Sequence, residues 1–194
     1  MDFILGDIER ASQQGALFPA VVTALIVPDI AGAVDSPGAR SQARYTEWVE
    51  KWFAPRFPEY AKHDIDGIGL YALRCKLLHE ELSDPSRARA AAQSAAAARK
   101  RLIAFNVDPV ISMHLCTKTD ANGETWTVLG AEIFCEEIIC VARSWLAARK
   151  TEPAAMARLQ SLVDVRSDVS PLSRGVRLLY AMICLPLSPT VCSI

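Results

Sequence analysis

The chain has 194 residues, 51% of them hydrophobic and 22% charged, the balance of a folded domain with a packed core rather than a disordered or fibrous chain. Lysine and arginine total 21 against 22 aspartates and glutamates, a formal net charge of -1; this argues against a strongly cationic, general nucleic-acid or membrane-surface binder and leaves room for a small basic patch on one RNA segment. The six cysteines form no Cys-x-x-Cys pair, so they read as small buried hydrophobes of a reduced, cytoplasmic protein rather than as a zinc knuckle or a thioredoxin-like site.

Phe3, Ile4, Ile8 and Ala11 recur at helical spacing behind Asp2, which favours a helix N-terminus. The charge-free run Gly15–Pro28, followed by Ala31-Gly32-Ala33, imitates a secretory signal. Asp2, Asp7 and Glu9 outnumber Arg10 ahead of it, however, and the uncharged run is too short to span a bilayer. A buried core helix is therefore expected, with no membrane partner; Pro28 kinks or restarts it and Asp35-Ser36-Pro37-Gly38 stops it. A third helix, Ala39–Ala54, carries the aromatic stripe Tyr45, Trp48, Trp52 and Phe53, expected in the core or at a dimer interface before a base-stacking platform. Pro55 and Pro58 end it.

The fourth helix runs from Ile65 to about Leu82 and closes at Asp84-Pro85. Residues 86–100 are rich in Ala and Arg: a helix by propensity, with an irregular segment as competitor. Arg87, Arg89, Arg99, Lys100 and Arg101 read as a solvated face sooner than as an RNA-contact surface. The pattern then alternates. Arg101–Val107, Ser112–Thr119 and Thr125–Leu129 read as strands, with a hairpin turning at Asn122-Gly123. A long amphipathic helix is expected over Ala131–Arg149 and a short one ending at Val163. The expected fold class is mainly α: a helical bundle with a small antiparallel β-hairpin insertion, at about residues 101–129, before the last long helix. Residues 1–164 form the single domain of this scheme and 165–194 a C-terminal tail with no assigned structure.

No dinucleotide-binding glycine fingerprint, phosphate loop, His-Glu-x-x-His or Gly-x-Ser-x-Gly motif is present. The three histidines, His63, His79 and His114, fall in a loop, a helix and a strand of this scheme, a poor metal set. No metal and no cofactor are expected.

One stretch stands apart: Leu70-Tyr71-Ala72-Leu73-Arg74-Cys75-Lys76-Leu77-Leu78-His79-Glu80. It sets a permanent cation and a titratable imidazole five residues apart, about 140° round a helix. An imidazole moves protons near neutral pH and a guanidinium holds phosphate oxygens with a bidentate fork. These are the two tasks in metal-free RNA cleavage, where a 2′-hydroxyl attacks the adjacent phosphate. A bland alternative stays open, with Arg74 in a salt bridge and His79 hydrogen-bonded near a helix end, where the dipole favours its cation.

The stretch resembles the Arg-x4-6-His motif of the HEPN superfamily (higher eukaryotes and prokaryotes nucleotide-binding domains), over about Leu17 to Glu81. Arg56 and His63 also satisfy the bare pattern, but Pro58 interrupts them. The resemblance implies a HEPN-like helical bundle, a homodimer, and a metal-independent endoribonuclease of a toxin, defence or RNA-processing system. Arg74 and His79 would be catalytic, RNA the substrate, and a neutralising protein the partner. Two departures from active members are Cys75, where a polar Asn or Asp usually follows the arginine, and the acidic pair Glu80 and Glu81. They leave open a non-catalytic HEPN-like dimerisation or ligand-binding module, or a structural helical protein in which the two residues coincide by chance.

Overall fold

The computed structural model describes residues 1–79, 101–108, 113–119, 121–123 and 125–163, without the side chains of 79, 101 and 102. Met1–Val163 form one compact unit. The expected tail 165–194 and the Ala- and Arg-rich segment 86–100 lie outside the described residues.

Helix α1 (Asp2–Gln13) turns Leu5 and Ile8 inward. Helix α2 (Leu17–Asp35) is apolar on every side, the pattern of a helix with neighbours all round it. It is long and apolar enough to cross a membrane; here it is the central helix, packed against α1, α3 (Ser41–Trp48), α5 (Gly67–His79), α6 (Ala131–Arg149) and α7 (Pro153–Leu162). Pro28 removes one intrahelical hydrogen bond. It does not end the helix, because Val27, Pro28, Ala31 and Val34 are all buried by those neighbours.

Helix α3 runs directly into a π-helical turn, Val49–Phe53, closed by the Ala54 N–H on the Val49 carbonyl at 2.9 Å. Tyr45, Trp48, Val49 and Phe53 are buried, and the Phe53 ring packs against Phe57, Tyr60 and Phe134. A short helix α4 (Glu59–Lys62), without counterpart in the sequence reading, leads to α5. Two glycines bring α2, α3 and α5 unusually close. A Cβ on Gly32 would lie 2.5 Å from the Arg44 carbonyl oxygen, and one on Gly67 would lie 2.9 Å from the Thr46 Cα. Only hydrogen fits at either place.

Strands β1 (Arg101–Asn106), β2 (Cys116–Thr119) and β3 (Thr125–Gly130) form a mixed sheet in the order β1-β3-β2. β2 pairs antiparallel with β3, Cys116 opposite Val128 and Thr119 opposite Thr125. β1 pairs parallel with β3, Arg101 opposite Thr125 and Asn106 opposite Gly130. The β excursion is thus a three-stranded mixed sheet and not a lone antiparallel hairpin. The reason is burial: β3 places Thr127, Val128 and Leu129 inside, and a strand with an inward face is stabilised by partners on both edges. Phe105 of β1 packs on Phe134 of α6. At the far end, Asp35 closes α2 onto α6 by accepting from Trp145 Nε1 and from Arg149 Nε at 2.8 Å. The protein is mainly helical, as its composition and spacing imply.

Candidate functional site

Asp29 is the one charged residue between Arg10 and Asp35, placed midway along the apolar central helix. A carboxylate held there needs partners, since an unpaired buried charge costs several kcal/mol. Two cations reach it from neighbouring helices. Arg44 of α3 donates to Asp29 Oδ1 through Nε at 3.1 Å and Nη2 at 2.9 Å. Arg74 of α5 donates to Oδ2 through Nη2 at 2.6 Å. Ser41 Oγ adds a third group on Oδ1 at 3.1 Å. The glycine contacts at 32 and 67 explain how these chains meet: helices that approach backbone to backbone leave the arginines within reach of the carboxylate.

One negative charge faces two positive ones, so the cluster holds a net positive charge. The Asp29, Arg74 and Arg44 side chains are 12%, 16% and 27% exposed, which weakens solvent screening of that excess. The Arg74 fork is not saturated. Nη2 is held by Asp29, Nη1 meets only the soft Cys75 Sγ at 4.0 Å, and Nε is buried without a hydrogen-bond partner among the described residues. The buried Tyr45 hydroxyl likewise lacks one. Burial pushes its pKa far up, with the Arg74 charge opposing. Tyr71 completes the wall, its ring edge-on to Tyr45 at 5.4 Å and 5.9 Å from the Arg74 guanidinium carbon. A guanidinium oriented at one corner, with donors left over and excess charge around it, can take an oxyanion.

Of the two residues singled out from the sequence, Arg74 therefore sits in an ion cluster among α2, α3 and α5. His79 is the last residue of α5, and its side chain lies outside the described residues, as do Glu80 and Glu81. Along the helix axis the two positions are about 7.5 Å apart. The other Arg-x-His match is not assembled into a shared site: Arg56 Nη1 donates to Ser144 Oγ of α6 at 3.1 Å, and His63 caps the short α4.

Sequence reasoning did not reach Asp29 and Arg44. Asp29 does have a signal, a solitary charge inside an apolar run; Arg44 has none. A second constellation also went unread. His114, just before β2, accepts the Gly130 N–H on Nδ1 at 3.2 Å and faces Glu137 Oε1 with Nε2 at 3.7 Å. The other Glu137 oxygen accepts from the Tyr60 hydroxyl. Burial pushes Glu137 up to about 7, against the pull of the Tyr60 hydrogen bond, and pushes His114 below its usual range. Glu137 shares a helix face with Phe134 and Val141, and that inward register was its sequence signal.

Among the described residues no group of three or more His, Cys, Asp or Glu side chains converges as a metal site would. Comparison with protein-family models, curated proteins and solved structures gives no match.

Proposed function

We propose that the chain is a HEPN-like RNA-binding protein that cleaves RNA without a metal ion, with Arg74 as the phosphate-binding cation and His79 as the proton carrier. The observation that supports this reading best is the excess positive charge around Arg74, a guanidinium already fixed at one corner by Asp29. A scissile phosphate would place an oxygen on the Nη1 side of Arg74, which Asp29 leaves free and which meets only the Cys75 Sγ at 4.0 Å. His79 would accept the 2′-hydroxyl proton as the 2′-oxygen bonds to phosphorus, and the P–O5′ bond would break as the resulting imidazolium passes that proton to the leaving oxygen. The products are a 2′,3′-cyclic phosphate and a 5′-hydroxyl. The same reading carries a cytoplasmic homodimer, for which the exposed Phe3, Phe18 and Ile68 supply apolar surface, and a neutralising partner protein of a toxin or defence system.

Purified protein should cleave single-stranded RNA in EDTA and leave the matching DNA intact, since DNA lacks the nucleophile. His79→Ala and Arg74→Met should each lower the rate about a hundredfold or more while keeping the wild-type fold and oligomeric state. Cleavage that survives both substitutions, or appears only with added metal, overturns the mechanism. A second reading, a non-catalytic HEPN-like module, is favoured by one observation: Arg74 is only 16% exposed and already ion-paired, as a structural tie would be. It requires that wild-type protein cleave nothing.

A further inference from the structure

The His114 constellation is independent of the RNA-cleaving reading and has a property of its own. The imidazole is 14% exposed and fixed from two sides. Gly130, the last residue of β3 and the N-cap of α6, gives its backbone N–H to Nδ1 at 3.2 Å. The Tyr60 ring lies edge-on at 5.6 Å. The residues around His114 press closely on this corner: a Cβ on Gly130 would stand 3.0 Å from the Met113 carbonyl oxygen and 3.4 Å from the His114 Cβ. Leu115, the next residue, has φ +52°, a left-handed backbone that a branched side chain adopts at some cost.

We propose that the His114–Gly130 hydrogen bond is a proton-operated latch, closed while the imidazole is neutral and opened when Nδ1 takes a proton, which frees the residues leading into β2 from the β3–α6 corner. The argument is one of donors and acceptors. A neutral imidazole can accept on Nδ1 only if its proton is on Nε2. The charged ring has two donors and no acceptor, so no rotation of the ring restores a partner for the Gly130 N–H.

The surroundings set where the latch stays closed. From α4 the ring is faced by Glu59, whose charge favours the imidazolium, and by His63, which opposes it; burial is the largest influence and favours the neutral ring. Tyr60 of α4 engages Glu137 of α6, which Glu59 and Glu136 both disfavour as an anion. Cys135 adds to the influences that keep Tyr60 neutral, and Cys116 Sγ points to the His114 carbonyl oxygen at 3.4 Å. Burial also favours the neutral form of Glu137, which weakens the anionic charge that would otherwise stabilise an imidazolium in place.

Nitrogen-15 NMR of the histidine ring, combined with hydrogen exchange at backbone amides, tests this on the whole chain. At pH 8 the ring should show the Nε2–H tautomer. On acidification it should titrate below 6.5, and the protection factor of the Gly130 amide should fall about tenfold with the same midpoint while amides of central α2 keep theirs. In His114→Gln that step should vanish. An Nδ1–H tautomer, a midpoint at or above 6.5, or Gly130 protection unchanged through the titration would each overturn the latch. So would a step that persists in His114→Gln, or a loss of protection that spreads to α2 at the same midpoint. Should that variant not fold, the wild-type titration decides alone.

Discussion

Substituting Asn for Asp29 separates the claim that this carboxylate anchors two arginines from the simpler view that it is one hydrogen-bonding group among several. The amide keeps an oxygen for Ser41 and Arg44 but turns an NH2 toward Arg74 Nη2, a donor facing a donor across 2.6 Å. Two guanidiniums, 16% and 27% exposed, are left without the carboxylate that both of them engage. Breaking a buried ion pair from one side costs about 3–5 kcal/mol; water around the more exposed Arg44 brings the expected value to the lower end, about 3 kcal/mol. For a domain of this size that lowers the melting temperature by about 6–12 °C. Arg74→Met should cost less, about 1–2 kcal/mol, because Asp29 keeps both Arg44 bonds and Ser41. Urea unfolding followed by circular dichroism, with unchanged slopes, measures both. If Asp29→Asn proves no more costly than Arg74→Met, the charge-sharing account of the cluster fails.

The pH dependence of stability gives a signed test of Glu137. Its pKa is raised from the ordinary 4.5 to about 7, so its contribution is fully present below 4.5 and lost as pH rises through 7. With discount for residual solvent, ionising the folded protein costs about 1–2 kcal/mol between pH 5 and pH 8. His114, lowered by burial, runs the opposite way and loses its contribution as pH falls from 6.5. The difference between wild type and Glu137→Gln isolates the carboxyl: it should widen in favour of Gln as pH rises, and a difference flat in pH would refute the burial argument. Gly32→Ala should destabilise by about 1–3 kcal/mol in urea titrations, because its Cβ would meet the Arg44 carbonyl oxygen at 2.5 Å and backbone has to move. A neutral result would mean that α2 and α3 separate freely.

What was legible in the sequence followed local periodicity. The apolar spacing and flanks of Ala131–Arg149 mark that helix with the bounds it has, and Asp35-Ser36-Pro37-Gly38 marks the end of α2. Pro28 was ambiguous because its local effect is to interrupt; the burial of Val27, Pro28, Ala31 and Val34, a tertiary fact, carries the helix through it. The turn at Asn122-Gly123 points to adjacent strands. Nothing local says that Arg101–Asn106 pairs parallel with β3 on the opposite edge, since that choice depends on contacts far along the chain. The site divides similarly. Arg74 was visible through its motif, whereas its engagement by Asp29 spans 45 residues and that of Arg44 spans 15. His114 and Glu137 meet only because the sheet folds back on α6.

Those sequence separations acquire another meaning when the chain is made from its N-terminus. At about 5–20 residues per second, the ribosome produces Arg74 about 2–9 s after Asp29, across a separation of 45 residues. During that interval α2 is a 19-residue apolar segment that carries a carboxylate and does not yet have Arg74 to pair with it. The same carboxylate that ties three helices together in the finished protein makes the young chain a poorer candidate for membrane insertion, because an aspartate at mid-helix opposes transfer into lipid by about 2.5–3.5 kcal/mol. Asp29 thus bears on the chain before it has folded as well as after: it first raises the cost of placing α2 in lipid and then gives Arg44 and Arg74 a place to dock.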